Sequence, residues 1–210
     1  QNNWPAIEAA QKHDVGVFII SPSDKGGHLY APPPKLVDLC EPLSPMVFND
    51  LFCLSHSQVH TLSLGAAQPS DFDEHMKVLP LIEQSDTVLT PILEKLEQSA
   101  IATLGETWYK TWDVGLPKPA DTPNSLNIPI ILWLGNLMDA YDMTEYAAAR
   151  YNLLGGGASH WFPGSRADNV NSLDLSRCLQ HSPHQDVIPH RLAEIHQRLA
   201  GAKVKRLSES

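Results

Sequence analysis

Cysteine is scarce in this chain of 210 residues: Cys40, Cys53 and Cys178 are the whole supply. Three scattered thiols exclude a disulfide framework, and a reducing cytoplasm is the expected compartment. Basic residues are also short, 15 Lys and Arg against 24 Asp and Glu, for a formal net charge of −9. With no basic surface on offer, broad binding to a phosphate backbone is excluded and no nucleic-acid partner is expected. Long apolar runs are missing too. The longest, Ile128 to Met138, is broken by Asn136, so no membrane association is expected. The opening residues, Gln1-Asn2-Asn3-Trp4-Pro5, carry neither the basic region nor the apolar stretch of a signal peptide. What remains is an ordinary globular composition, 42% hydrophobic and 19% charged, sized for one domain or two small ones.

The most informative stretch is Val15 to Tyr30, VGVFIISPSDKGGHLY. Its β-branched and aromatic run, Val15 to Ile20, reads as a buried strand that stops at Ser21-Pro22. The loop beyond it offers backbone amides and Lys25 to a phosphate-bearing ligand. A second strand, Gln58 to Leu64, leads into the loop Gly65-Ala66-Ala67-Gln68-Pro69. A helix then opens with Ser70-Asp71-Phe72-Asp73-Glu74-His75, acids in the first turn matching its dipole. Between the strands, Lys35–Cys40 and Met46–Leu54 have helical spacing, as does Pro5–His13 before them. Two strand–loop–helix units in succession are a piece of a βα barrel or open sheet, where ligands bind at strand ends.

From Ser85 onward the pattern is helix and loop, with Val88, Ile92, Leu93, Leu96 and Ile101 at helical spacing. A domain boundary is therefore expected between residues 84 and 85. The second half holds a weak internal repeat. Thr122-Pro123 to Pro129 resembles Ser182-Pro183 to Pro189 at an offset of 60 residues, and each run feeds an apolar-periodic helix. A two-fold related helical domain is the expectation.

The run FIISPSDKGG, the Leu64 to Pro69 loop and Asp73-Glu74-His75 resemble the last two βα units of the aldo/keto reductase barrel. The helical half resembles the tail of a bacterial subgroup with a C-terminal ferredoxin-like helical domain, on the runs Asn127 to Trp133, Ala140 to Met143, Arg150-Tyr151-Asn152 and His160 to Gly164. The resemblance covers nearly the whole chain. It implies an α/β fold class: residues 1–84 as the C-terminal βα units of a (β/α)8 barrel, and 85–210 as an all-α ferredoxin-like domain. It also implies an oxidoreductase that transfers hydride between a nicotinamide dinucleotide, NAD or NADP, and a carbonyl or alcohol carbon. Ser21, Pro22, Ser23, Asp24 and Lys25 map to the loop against the cofactor's pyrophosphate. Gly65, Ala66, Asp71, Glu74 and His75 map to the adenosine end.

Departures from the family's pattern shape this expectation. The ring that stacks on nicotinamide falls at Ile20. The arginine that meets a 2′-phosphate falls at Asp71, which repels it. The adenine-contacting Asn falls at His75. The catalytic Asp, Tyr, Lys and His belong to earlier strands of the barrel, so no catalytic residue is assigned here, and two strands cannot close a barrel. The chain is thus expected to be the tail of a longer or truncated reductase. Alone, it should be inactive and bind a dinucleotide weakly or not at all. Its expected partners are the N-terminal barrel half or a second copy, through exposed strand edges.

Iron–sulfur loops need four cysteines. The corresponding positions are Ser172, Leu175, Cys178 and Ser182 in one loop, and Trp112, Gly115, Lys118 and Thr122 in the other. No cluster is expected, nor a zinc site at His181, His184, His190 and His196. Plainer readings stand beside several of these. Lys25 also suits a solvated loop, Glu74 is explained by the helix dipole, and Cys178 reads as an inert thiol. The tryptophans of the helical half, Trp108, Trp112, Trp133 and Trp161, read as apolar anchors. The competing function is a non-catalytic module that docks to a partner protein.

Overall fold

A computed structural model describes residues 3–23, 27–66, 68–156 and 163–201. The fold is mixed α/β and mostly helical, and its only sheet among the described residues is a two-stranded parallel one. Two compact units divide the chain, Gln1–Gln98 and Ser99–Ser210. The division lies beyond the expected position at residue 84, because the helix starting at Ser85 continues to Leu104 and the chain's contacts change along it.

In the first unit, α1 (Trp4–Lys12) starts on a proline in its first turn, where a missing N–H costs nothing. β1 (Val17–Ile20) and β2 (Val59–Ser63) run parallel, with Phe18 opposite Thr61 and Ile20 opposite Ser63. Parallel neighbours need a crossover, supplied by α2 (Pro34–Cys40) and α3 (Pro45–Leu54). β1 begins two residues later than the apolar run because the Val15 N–H closes the end of α1 by donating to Ala10 O at 2.8 Å; the Val17 N–H donates to His60 Nδ1, 3.1 Å away, where the pairing register shifts. α3 is capped by Ser44, whose Oγ accepts from the Val47 N–H. It carries Met46, Val47, Asp50 and Leu51 on its buried face. After β2 come α4 (Ser70–Met76), a 3-10 turn over Leu79–Gln84 and α5 (Ser85–Leu104). Leu51, Val78 and Leu89 form a core cluster flanked by Phe48, Leu54 and Val88.

The second unit is helical: α6 (Glu106–Thr111), α7 (Ile128–Tyr141), α8 (Thr144–Tyr151), α9 (Ser176–Leu179) and α10 (Ile188–Leu199). α7 buries nine of its residues, Ile128 and Leu132 among them, and packs against α8 and α10. The two proline-punctuated runs occupy matching places. Thr122 and Ser182 are both buried, and Ile128 and Ile188 are both sealed from solvent at the start of their helices. Gly135 on α7 faces Ile195 on α10, and a Cβ there would meet Ile195 Cγ1 at 2.7 Å. These two positions are separated by the repeat offset of 60 residues.

Candidate functional site

The parallel pairing decides where the loops go. The Ser21 N–H donates to Ser63 O at 3.0 Å, so the loops after β1 and β2 leave the sheet side by side at one end. Pro22 and Ser23 turn inward and are buried. The Leu29 N–H closes the β1 loop by donating to Ser23 O at 2.7 Å. Asp24 and Lys25 lie outside the described residues. Gly65 and Ala66 are exposed, and a Cβ added at Gly65 meets nothing within 4 Å. Before α4, the Asp71 carboxylate accepts from the Gln68 N–H at 3.1 Å.

The side chains at this end converge on α3. His75 is 3% exposed, and its Nδ1 donates to Asp50 Oδ2 at 2.5 Å. Asp50 is sealed from solvent, and its Oδ1 accepts from the Ser23 hydroxyl at 3.5 Å and from the Asn49 amide. Burial holds the Asp50 carboxyl above the usual carboxylate range, against the bonds from His75, Asn49 and Ser23. His75 Nε2 is buried with no partner among the described residues. Glu74 takes Lys77 Nζ on one oxygen and the Ser44 hydroxyl on the other, each at 2.5 Å, and the two donors lower its pKa.

The structure therefore brings Ser21, Ser23, Gly65, Ala66, Glu74 and His75 to one end of the sheet but divides them by role. Ser23, Glu74 and His75 are spent on contacts within the chain; Gly65 and Ala66 face solvent. Asp50 was not singled out by the motifs. Its signal was an Asp at helical spacing among Met46, Val47 and Leu51, a carboxylate on an apolar face. Phe18 and Ile20 share one strand face and are 59% and 65% exposed.

In the second unit, a cleft of about 680 Å³ is lined by Gly115, Pro123, Asp174, Arg177, Cys178 and His181, drawn from both repeat loops. Gly115 has φ +68°, and a Cβ there would collide with the His181 carbonyl. The Cys178 Sγ donates to Leu175 O, and burial raises the thiol's pKa. The histidines work separately. His184 Nε2 meets Thr111 Oγ1 at 2.8 Å, His196 Nδ1 pairs with the Tyr151 hydroxyl at 2.6 Å, and His190 lies 3.6 Å from Glu194. Among the described residues no group of three or more His, Cys, Asp or Glu is placed to hold a metal ion, and no helix is long and apolar enough to cross a membrane.

In comparisons with known proteins, no family model, curated protein or solved structure matches this chain. Chemical interpretation thus rests on the strand-end geometry. Two adjacent loops, one exposed at Gly65 and Ala66, suit gripping an anionic ligand by backbone amides.

Proposed function

We propose that this chain is the cofactor-gripping segment of a cytoplasmic aldo/keto reductase-type oxidoreductase. In this reading residues 1–84 are the last two βα units of a (β/α)8 barrel, and the remainder is a ferredoxin-like helical domain without its cluster. The observation that carries it is the Ser21–Ser63 hydrogen bond, which sets both strand-end loops side by side. The exposure of Phe18 and Ile20 on one strand face is what a barrel-lining face looks like when the other strands are not beside it.

A nicotinamide dinucleotide fits these residues through the main chain. Gly65 and Ala66 are open to it, whereas the Ser23 hydroxyl and His75 Nδ1 already serve Asp50. The cofactor, when bound, supplies the hydride chemistry. The role of this chain is to hold its phosphates and adenosine end. Asp71 beside the α4 entrance opposes a 2′-phosphate, which favours NAD over NADP. The proton chemistry belongs to the barrel half that would complete the pocket.

The test is a titration of the isotope-labelled chain with NADH and NADPH, followed by amide chemical shifts. Weak binding, in the millimolar range, should move Ser21, Ser23, Leu64, Gly65 and Ala66, with NADPH no better than NADH. Shifts confined to the helical unit would overturn the reading. A second reading, a docking module for a partner protein, is favoured by one observation. Phe72, Met76 and Leu79 are each more than half exposed at helical spacing on and after α4. It predicts no response to either dinucleotide.

A further inference from the structure

Asp50 lies on the crossover helix, outside both loops, yet it touches the β1 loop and α4. Its Oδ1 accepts from Ser23 in the β1 loop and its Oδ2 from His75 on α4, with all three residues at most 3% exposed. The Ser23 contact, at 3.5 Å, is the weaker arm; the His75 contact, at 2.5 Å, is the stronger. A second tie runs parallel to it, from the Ser44 hydroxyl at the start of α3 to Glu74 on α4. α4 is therefore held to α3 by two hydrogen bonds at consecutive residues, and the β1 loop is joined to the same carboxylate.

We propose that Asp50 is a positioning residue that couples Ser23, at the start of the β1 loop, to α4, so that these two segments open as one unit. A carboxylate suits the task because it only accepts, with lone pairs for several donors at once. In an apolar setting an unpaired carboxylate is costly; lifting one segment away admits water to it, and that water then competes with the donor on the other segment. The coupling concerns the segments themselves. That it positions a cofactor cradle rests on the proposed function above, whereas the coupling stands or falls without it.

The test is amide hydrogen exchange on the full chain, with the His75 ring nitrogens observed by nitrogen-15 chemical shift. Two reporters mark the two segments: the Leu29 N–H, bonded to Ser23 O, and the Lys77 and Val78 N–H groups, bonded to Glu74 O and His75 O. Asp50→Asn leaves one amide oxygen for two donors. Exchange should rise about tenfold at Leu29 and at Lys77 and Val78 together, and His75 should lose the signature of an Nδ1 proton held by a carboxylate. Ser23→Ala, which spares α4 directly, should still speed exchange at Lys77 and Val78. That result separates coupling from a local structural role, and it remains available if Asp50→Asn does not fold. A Ser23→Ala effect confined to Leu29 would overturn the proposal, as would an Asp50→Asn effect spread evenly over α3 and the strands. The outcome is independent of dinucleotide binding, so a failed titration and a failed coupling are told apart.

Discussion

At the scale of single residues, the buried charges and the close approaches are where substitution hurts. Replacing His75 with Leu removes the Nδ1–H donor from an Asp50 carboxyl sealed from solvent, which costs about 1–3 kcal/mol at neutral pH. Burial already raises the Asp50 pKa. An acid whose folded pKa is raised supports folding most fully below its unfolded pKa and loses that support as pH rises through the folded value. The His75 hydrogen bond holds that rise in check, so His75→Leu lifts the Asp50 pKa further, and the gap between the variant and the parent chain should narrow as the pH falls, measured by urea midpoints across pH. Tyr151 offers a neutral counterpart. Burial pushes its hydroxyl up to about 12, so it stays protonated, pairing with His196 and accepting from the Ala167 N–H at 3.0 Å. Tyr151→Phe strands that buried N–H and should cost about 1–3 kcal/mol in the same assay. Asp50 was the residue least legible beforehand, because its meaning depends on two partners far away in the chain. Ser23 and His75 were legible as neighbours of a loop, but not as its internal fastenings.

At the scale of elements, local signals carried far. The helix starts at Pro5, Ser44-Pro45, Pro129 and Pro189 follow from proline in the first turn. β1 and β2 follow from β-branched runs that end at turn residues. What a one-dimensional pattern lacks is the competition for a single N–H. The end of α1 takes the Val15 N–H on Ala10 O, so β1 starts only at Val17, and nothing local to Val15 announces it. The tie between α3 and α4 was hidden in the same way, since Ser44 reads as a cap and Glu74 as a dipole partner. In the structure Ser44 caps α3 and also donates to Glu74. Glu74 has a lowered folded pKa, so its contribution is present above the ordinary glutamate pKa and lost as pH falls through the folded value. Glu74→Gln should thus destabilise at neutral pH, by about 0.5–1.5 kcal/mol, and match the parent chain in acid. Thermal melts at paired pH values check this.

At the scale of the molecule, each unit poses a different question. In the helical unit, α7 and α10 cross at positions related by the repeat offset, and the loops feeding them meet where Gly115 runs against His181. Gly115→Ala puts a Cβ at positive φ and into that carbonyl. The backbone strain alone is about 1–3 kcal/mol, and the unit's melting temperature should fall accordingly. The two proline-punctuated loops were legible in the sequence. That Gly115 of one loop and Cys178 of the other line one cleft was not, because only folding brings the two repeats together. In the α/β unit, the parallel pair presents Phe18 and Ile20 to solvent from adjacent turns of the pleat. A two-stranded sheet with an exposed apolar face is marginal by itself and is a template for pairing with another strand. The isolated chain should therefore self-associate as its concentration rises, through β1. Phe18→Thr with Ile20→Lys should return it to a monomer in sedimentation velocity while leaving the helical signal of circular dichroism unchanged. If the double variant associates as strongly as the parent chain, the exposed strand face is not the adhesive surface. The proposal that this face lines a barrel would then lose a support.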